Sequence, residues 1–400
     1  MKTTTYALAI AALLASGAST LAADTKVGLL MDITGPIASF IPPLQNAANL
    51  AVQHVNDNGG LLDGQAVPVY GDTTGSSQGA VDAAGKLINV ENVPIIMGAL
   101  MSGTTIASAE AAGIPAGVVQ ISPTATSPAM TDIKDNDLLY RIVPSDNFQG
   151  KVLARMVMDE GLNKVAVTFV NNDYGVGIGG TFIEAYKALG GEVVAEVKHE
   201  EKKNSYRSEL ATLSKAGGDA LVVVAYAGDS GSKIVKQALE GGLFTKFVGT
   251  DGLRDEALIS DIGAEALASS FFSAPTSPAD NPNQSKLHEL YTAAYDEPAD
   301  KPFVDQTYDA TFLALLAIEQ AGSADRAKMA EALRAVASAP GEKVGPGDWA
   351  KAKALIAEGK DIDYDGAGGN YDFDENGDVA GFIGKFVVDG DVYKQVAIFE

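Results

Sequence analysis

The 400-residue chain has no cysteine, three histidines and one tryptophan. Without cysteine there is no disulfide, no thiolate nucleophile and no cysteine-held metal. Positive charge is also scarce: 29 Lys and Arg stand against 52 Asp and Glu, a formal net charge of −23. Such a surface repels a phosphate backbone, which argues against nucleic acid as a partner. The acid excess is spread along the chain and reads as solubility rather than as an interaction tail. After the N-terminus no apolar run reaches the roughly 20 residues of a membrane span, so no stable insertion of the mature chain is expected. What is present is a foldable composition, 46% hydrophobic with 43 glycines. A chain this long points to two or three domains, large enough to build cores without disulfides.

The N-terminus reads MKTTTYALAIAALLASGASTLAAD. Lys2 precedes an apolar run from Tyr6 to Ala15, and small residues follow to Ala22 and Ala23. That is the layout of a secretory signal peptide over residues 1–23. A retained membrane anchor is the weaker reading, because the run is too short. No cysteine follows it to carry a lipid.

From Lys26 the chain alternates short apolar runs with amphipathic stretches. Strands are expected at 26–32, 66–70, 94–97 and 116–121, with helices at 44–58, 78–89 and 104–112 between them. The rhythm restarts after RIVPSDNFQG (141–150). Strands at 164–170, 192–197, 220–225 and 246–249 alternate with helices at 181–189, 207–215 and 233–240. This is the pattern of βαβ units and parallel sheets. Residues 277–360 read mostly helical, and Asp389-Gly390 between two alternating runs signals a terminal hairpin. The expected class is α/β, two doubly wound Rossmann-like lobes in series.

Several motifs invite a catalytic reading. GVGIGG (175–180) has the G-x-G-x-x-G spacing of a dinucleotide loop, but NNDY separates it from the preceding strand, where the fingerprint needs an immediate tight turn. GDSG (228–231) resembles a protease nucleophile loop. The plainer reading is a helix cap by Asp229 or Ser230. No histidine has a serine or acid partner suggested by spacing, so a triad lacks support. DFDENGD (372–378) opens like a calcium loop, yet its twelfth position is Ile383 rather than Glu, and a turn is expected. No cofactor, no metal and no catalytic residue is implied.

In open α/β sheets ligands bind outside the carboxyl ends of the strands. In the first lobe those ends carry Phe40, Ser102, Thr104, Thr124 and Thr126. Short hydroxyls and loop amides at helix starts suit a carboxylate. In the second lobe they carry Tyr174, Tyr226 and Asp251. An acid between aromatic walls suits an ammonium group. Ser102 and Thr104 could equally be ordinary caps, and Thr126 a turn residue.

The stretches TGPIASF, VNDNGGLLDGQAVPVYGDTTGSSQGAV, MGALMSGTT, ISPTATSP, NNDYGVG and FVGTDGL, in this order and spacing, resemble the periplasmic leucine/isoleucine/valine-binding proteins of ABC importers. The resemblance implies the type I periplasmic binding protein fold, two lobes joined by a three-strand hinge. It implies lobes of 24–143 with 274–380, and of 144–273 with 381–400. It also implies a non-enzymatic protein in the periplasm that captures a small apolar amino acid by hinge closure and delivers it to a transporter permease. By that resemblance Ser102 holds the ligand carboxylate and Thr126 touches carboxylate and ammonium. Thr124 or Ala125 supplies a backbone contact, and Phe40 packs on the side chain. Tyr174 and Tyr226 line the cleft, and Asp251 stands where relatives carry a glutamate for the ammonium. The family's usual first-lobe disulfide is missing, with Met101 at one of its positions. The alternatives are the same fold holding an amide or aromatic acid, an exported serine hydrolase using Ser230 or Ser102, and a chemotactic receptor.

Overall fold

A computed structural model describes residues 23–400, and the expected signal peptide falls almost wholly on residues 1–22, outside them. Strands β1 (Thr25–Met31), β2 (Ala66–Asp72), β3 (Ile95–Gly98), β4 (Val119–Ser122) and β5 (Leu139–Arg141) form one parallel sheet in the order β2-β1-β3-β4-β5. A second sheet contains β6 (Lys164–Val170), β7 (Glu192–His199), β8 (Ala220–Val224), β9 (Phe247–Gly249) and β10 (Phe271–Thr276). Its parallel part runs β7-β6-β8-β9-β10, the same winding repeated. β3, β4 and β8 are buried along their whole length, because helices cover both faces of each sheet. Strand order reverses between β1 and β3 and between β6 and β8, and the loops leaving those strands open a crevice.

Residues 282–364 pack against the helices and strands of the first sheet. Helix Val304–Ala321 is buried from Val304 through Ile318 and packs on helix Ile41–Asp57. The latter turns Leu44, Ala47, Ala48, Ala51 and Val55 inward, the spacing of one helix face. A small parallel pair, β11 (Glu342–Val344) and β12 (Ile362–Tyr364), follows. The chain then re-enters the second sheet as an antiparallel hairpin, β13 (Phe382–Asp389) and β14 (Val392–Phe399), on the edge beside β10.

Three details differ from the sequence reading. The hairpin turn is Gly390-Asp391, with Asp389 paired to Val392 and Gly390 at φ 64°. GVGIGG lies inside helix Asp173–Ala188 rather than before it. A Cβ on Gly175 would sit 2.1 Å from the Val170 carbonyl oxygen, so this glycine lets the helix press onto its own strand. β10 stays in the second sheet through Thr276, so the division expected at 273/274 cuts a strand and the change of sheet follows it.

The chain passes between the sheets three times: after β5, after β10 and before β13. Arg141, with its side chain fully buried, ties the first and third passages. Its Nη2 donates to Asp378 Oδ2 at 2.6 Å and to Thr131 Oγ1 at 2.7 Å, and its Nη1 donates to the carbonyls of Thr126 and Ser127 at 3.0 and 2.7 Å. DFDENGD supplies that Asp378 from a turn closed by Asp374, whose Oδ1 accepts the amides of Asn376 and Asp378. Among the described residues no cluster of metal-ligand type occurs. Breaking a buried ion pair from one side typically costs about 3–5 kcal/mol. Arg141→Met is therefore expected to lower the free energy of urea unfolding by about 3 kcal/mol, and the double variant with Asp378→Asn by less than the two singles summed. A loss under about 1 kcal/mol would show that this pair does not hold the passages together.

Candidate functional site

The loops at the two reversal points meet in one cleft of about 410 Å³ of empty space, counting the part open to solvent. Phe40, Ser102, Thr124, Thr126, Tyr174, Tyr226 and Asp251 all line it. Ala125 does not. It is buried beside the cleft, with its amide donating to Ser122 Oγ at 3.0 Å.

Local chemistry sorts the hydroxyls. Asp32, at the end of β1, is fully buried and accepts the amides of Leu100 and Met101 at 2.9 and 3.2 Å, which sets the loop that starts helix Ser102–Ser108. Thr104 turns its hydroxyl back onto the Met101 carbonyl at 2.9 Å, and Thr124 donates to the Leu100 carbonyl, so both are spent within the loop. Ser102 Oγ accepts the Ser127 amide at 3.2 Å and keeps its own proton for a further acceptor. Thr126 Oγ1 is buried and has no partner among the described residues. First-turn amides of a helix have no carbonyl of their own helix to bond. Ser102 and Thr126 are thus the first-lobe hydroxyls with capacity left for a ligand.

The second lobe contributes a shaped acid. Asp251 Oδ1 accepts from Gln149 Nε2 at 2.9 Å and from the Tyr174 hydroxyl at 3.1 Å. The Tyr174 oxygen in turn lies 2.6 Å from Thr250 Oγ1 and accepts the Gly252 amide at 3.2 Å. Tyr174 therefore aims the carboxylate, and its ring stacks on Tyr226 with centroids 5.1 Å apart. Asp251 Oδ2 accepts no hydrogen bond from the described residues. Burial pushes the Asp251 pKa up to about 6, against the Gln149 and Tyr174 hydrogen bonds.

Several residues of this site were not visible in the sequence. Ile37, Leu44, Leu100, Met101 and Phe303 complete the lining, and with Phe40 they give the first lobe an apolar wall. Phe303 reaches it from a left-handed backbone, φ 65°, just before helix Val304–Ala321. Asp146 opens helix Asp146–Asp159 directly after the first passage. It is fully buried, and neither carboxylate oxygen has a partner among the described residues. Burial first, and the charge of Asp251 second, hold its pKa well above the ordinary range. An acid and an amide one turn apart, Asp146 and Gln149, were the available signal.

The hydrolase motif resolves differently from either sequence reading. Neither Asp229 nor Ser230 caps the following helix. Asp229 accepts the Lys202 amide at 3.0 Å, and Ser230 Oγ lies 3.0 Å from His199 Nε2. A serine–histidine pair does exist, but both residues are buried, and the other ring nitrogen faces Thr168 Oγ1 at 2.8 Å rather than a carboxylate. Burial lowers the His199 pKa to about 4. Ser102 has no histidine beside it among the cleft residues.

The profile of the periplasmic binding protein family matches residues 24–380. The chain belongs to that family. Its members bind solutes and are not enzymes. The chain is 27% identical to the chemotactic signal transduction system substrate-binding protein BasB of Halobacterium salinarum, over 86% of this chain and 82% of that one. It is 28% identical to the leucine-, isoleucine-, valine-, threonine- and alanine-binding protein of Pseudomonas aeruginosa, over 79% and 83%. The crystal structure of the branched-chain amino acid transporter substrate binding protein LivJ from Streptococcus pneumoniae, in complex with isoleucine, superposes with TM-score 0.77 at 25% identity, covering 94% of this chain and 99% of that one. No helix of the described residues is long and apolar enough to cross a membrane.

With the Ser230 hydroxyl placed in the core, Ser230→Ala is expected to lower stability by about 1 kcal/mol, the worth of one hydrogen bond. Ester turnover by the purified protein should be at background before and after the change. Turnover that disappears with Ser230→Ala would restore the hydrolase reading.

Proposed function

We propose that this protein, exported to the periplasm, captures a small apolar amino acid, branched-chain side chains first, and hands it to the permease of an ABC importer. One observation carries the reading: one cleft between the lobes brings together free hydroxyls, an unpartnered carboxylate oxygen of Asp251 and an apolar wall. The ligand carboxylate would take Ser102, the first-turn amides and Thr126. The ammonium would sit against Asp251 Oδ2 and the neighbouring Asp146. The side chain would lie on Phe40, Leu100, Met101 and Phe303. A charge-assisted hydrogen bond contributes roughly 1.5–3 kcal/mol. A few of these with a buried aliphatic chain reach about −8 kcal/mol, a dissociation constant near the micromolar range. Domain closure about a few passages is a common way for two lobes to trap a ligand, and three passages let the lobes bend without unfolding. The likeness to the chemotactic protein of Halobacterium salinarum supports a sensory role as the second reading of the same capture.

The test is calorimetric titration of protein freed of ligand by unfolding and refolding. Leucine, isoleucine and valine are compared with the leucine amide and with 4-methylpentanoate, which lacks the ammonium. Leucine should bind tightly and both truncated ligands at least tenfold more weakly, a difference of about 1.4 kcal/mol. Asp251→Asn should then weaken leucine by about 10- to 100-fold and 4-methylpentanoate by less than about threefold. Equal losses for both would remove the ammonium role, and tight binding of an aromatic acid alone would replace the amino acid as ligand.

A further inference from the structure

Asp251 lines the cleft where one ammonium would bind, and Asp146 lies buried directly behind that lining, its amide donating to the carbonyl of the cleft residue Thr126 at 2.8 Å. Asp146 is fully buried with both oxygens unpartnered, and Asp251 is 5% exposed with one oxygen bonded. Gln149, one turn along from Asp146, donates its amide to Asp251, so the helix turns both groups to the same side. The groups packed around the pair are Thr126, Tyr174, Tyr226 and Arg141. The Arg141 guanidinium is the cation among them, and its Nη groups are occupied by Asp378, Thr131 and two carbonyls. With that cation committed elsewhere, closing the lobes without a ligand leaves the pair without a countercharge, an arrangement that strongly opposes burial.

Other contacts across the cleft favour closing. Ser39 donates to Asp255 and Lys301 to Glu256, each pair joining the first lobe to the second. Ser127 Oγ donates to the Asp173 carbonyl at 3.0 Å. Helix Asp173–Ala188 carries Asp173 in the second lobe. These bonds need no ligand, so something else must keep the empty receptor open if capture is to depend on solute.

We infer that the buried carboxylates of Asp146 and Asp251 hold the empty cleft open until an ammonium group arrives to neutralise them. This rests on the amino-acid reading of the cleft. Opening admits water to both acids. Closing strips that water, and only a cation or a proton replaces it. A ligand shifts an open–closed equilibrium by its differential affinity for the two states, and the ammonium supplies that difference here. A proton is the weaker substitute. The closed form holds both carboxyl groups above their ordinary range, Asp251 at about 6, whereas water-exposed carboxylates keep ordinary values near 4. The empty closed form therefore binds more protons than the open form. Lowering the pH from 8 through 6 toward 5 must favour closure without ligand.

The absence of native cysteine allows a clean distance measurement. Asp82→Cys on a first-lobe helix and Lys236→Cys on a second-lobe helix are exposed positions for spin labels, read by pulsed electron resonance on ligand-free protein. At pH 8 the empty protein should show an open distance and shift to a shorter one with leucine. Asp146→Asn should raise the closed-to-open ratio of the empty protein by about tenfold or more, while weakening leucine. Unsubstituted Asp146 should show the same shift at pH 5, and Asp146→Asn a much smaller pH response. If the empty protein keeps its open distance both in Asp146→Asn and at pH 5, the gate is overturned while the amino-acid reading stands. If leucine neither binds nor closes the protein, the amino-acid reading fails, and the Asp146→Asn distance still decides whether the acids oppose closure.

Discussion

The buried guanidinium of Arg141 ties two of the chain passages between the sheets to a loop of the cleft. Arg141 ends the last strand of the first sheet, and its donors reach the third passage through Asp378 and the cleft loop through the carbonyls of Thr126 and Ser127. The planar fork makes this possible, since several donors leave one group in fixed directions. The cleft loop that carries Thr126 is thereby fastened to the segment by which the chain re-enters the second sheet.

The two lobes share a winding and differ in chemistry. The first presents hydroxyls and an apolar wall, with its own buried acid, Asp32, turned inward to hold loop amides rather than outward to the cleft. The second presents carboxylates, one of them aimed by a tyrosine whose hydroxyl is fully engaged. The proposed zwitterion would answer that division, with its anion on one lobe and its cation on the other. In a low-dielectric cleft the uncompensated acids matter more than the hydroxyls, because a buried charge without a partner costs far more than a buried hydroxyl without one.

Much of the fold was legible because its signals are local. Apolar runs of parallel-strand length, helices between them, and the restart after RIVPSDNFQG all reflect periodicities within a few residues of one another. Loop residues at strand ends were legible for the same reason, since a parallel sheet offers its ligands the carboxyl ends. Seven of the eight expected residues accordingly share the cleft, with Ala125 set behind it. Other readings failed where a partner lies far along the chain. His199 at the end of β7 meets Ser230 beyond β8, with β6 between those strands in the sheet, and Phe303 reaches the cleft from a segment with no motif of its own.

The sequence by itself determined the α/β class, the repeated winding and which loops would face a ligand, because hydrophobic period and strand order are written in short stretches. Only the tertiary structure decided which hydroxyls remain free. Thr104 and Thr124 spend theirs on nearby carbonyls, while Ser102 and Thr126 keep donor capacity. It also decided that Asp146 is buried beside Asp251 with neither of its oxygens bonded among the described residues. Hydrogen-bond capacity and desolvation depend on every group that packs against an atom, and those groups come from strands, helices and passages brought together only by the fold.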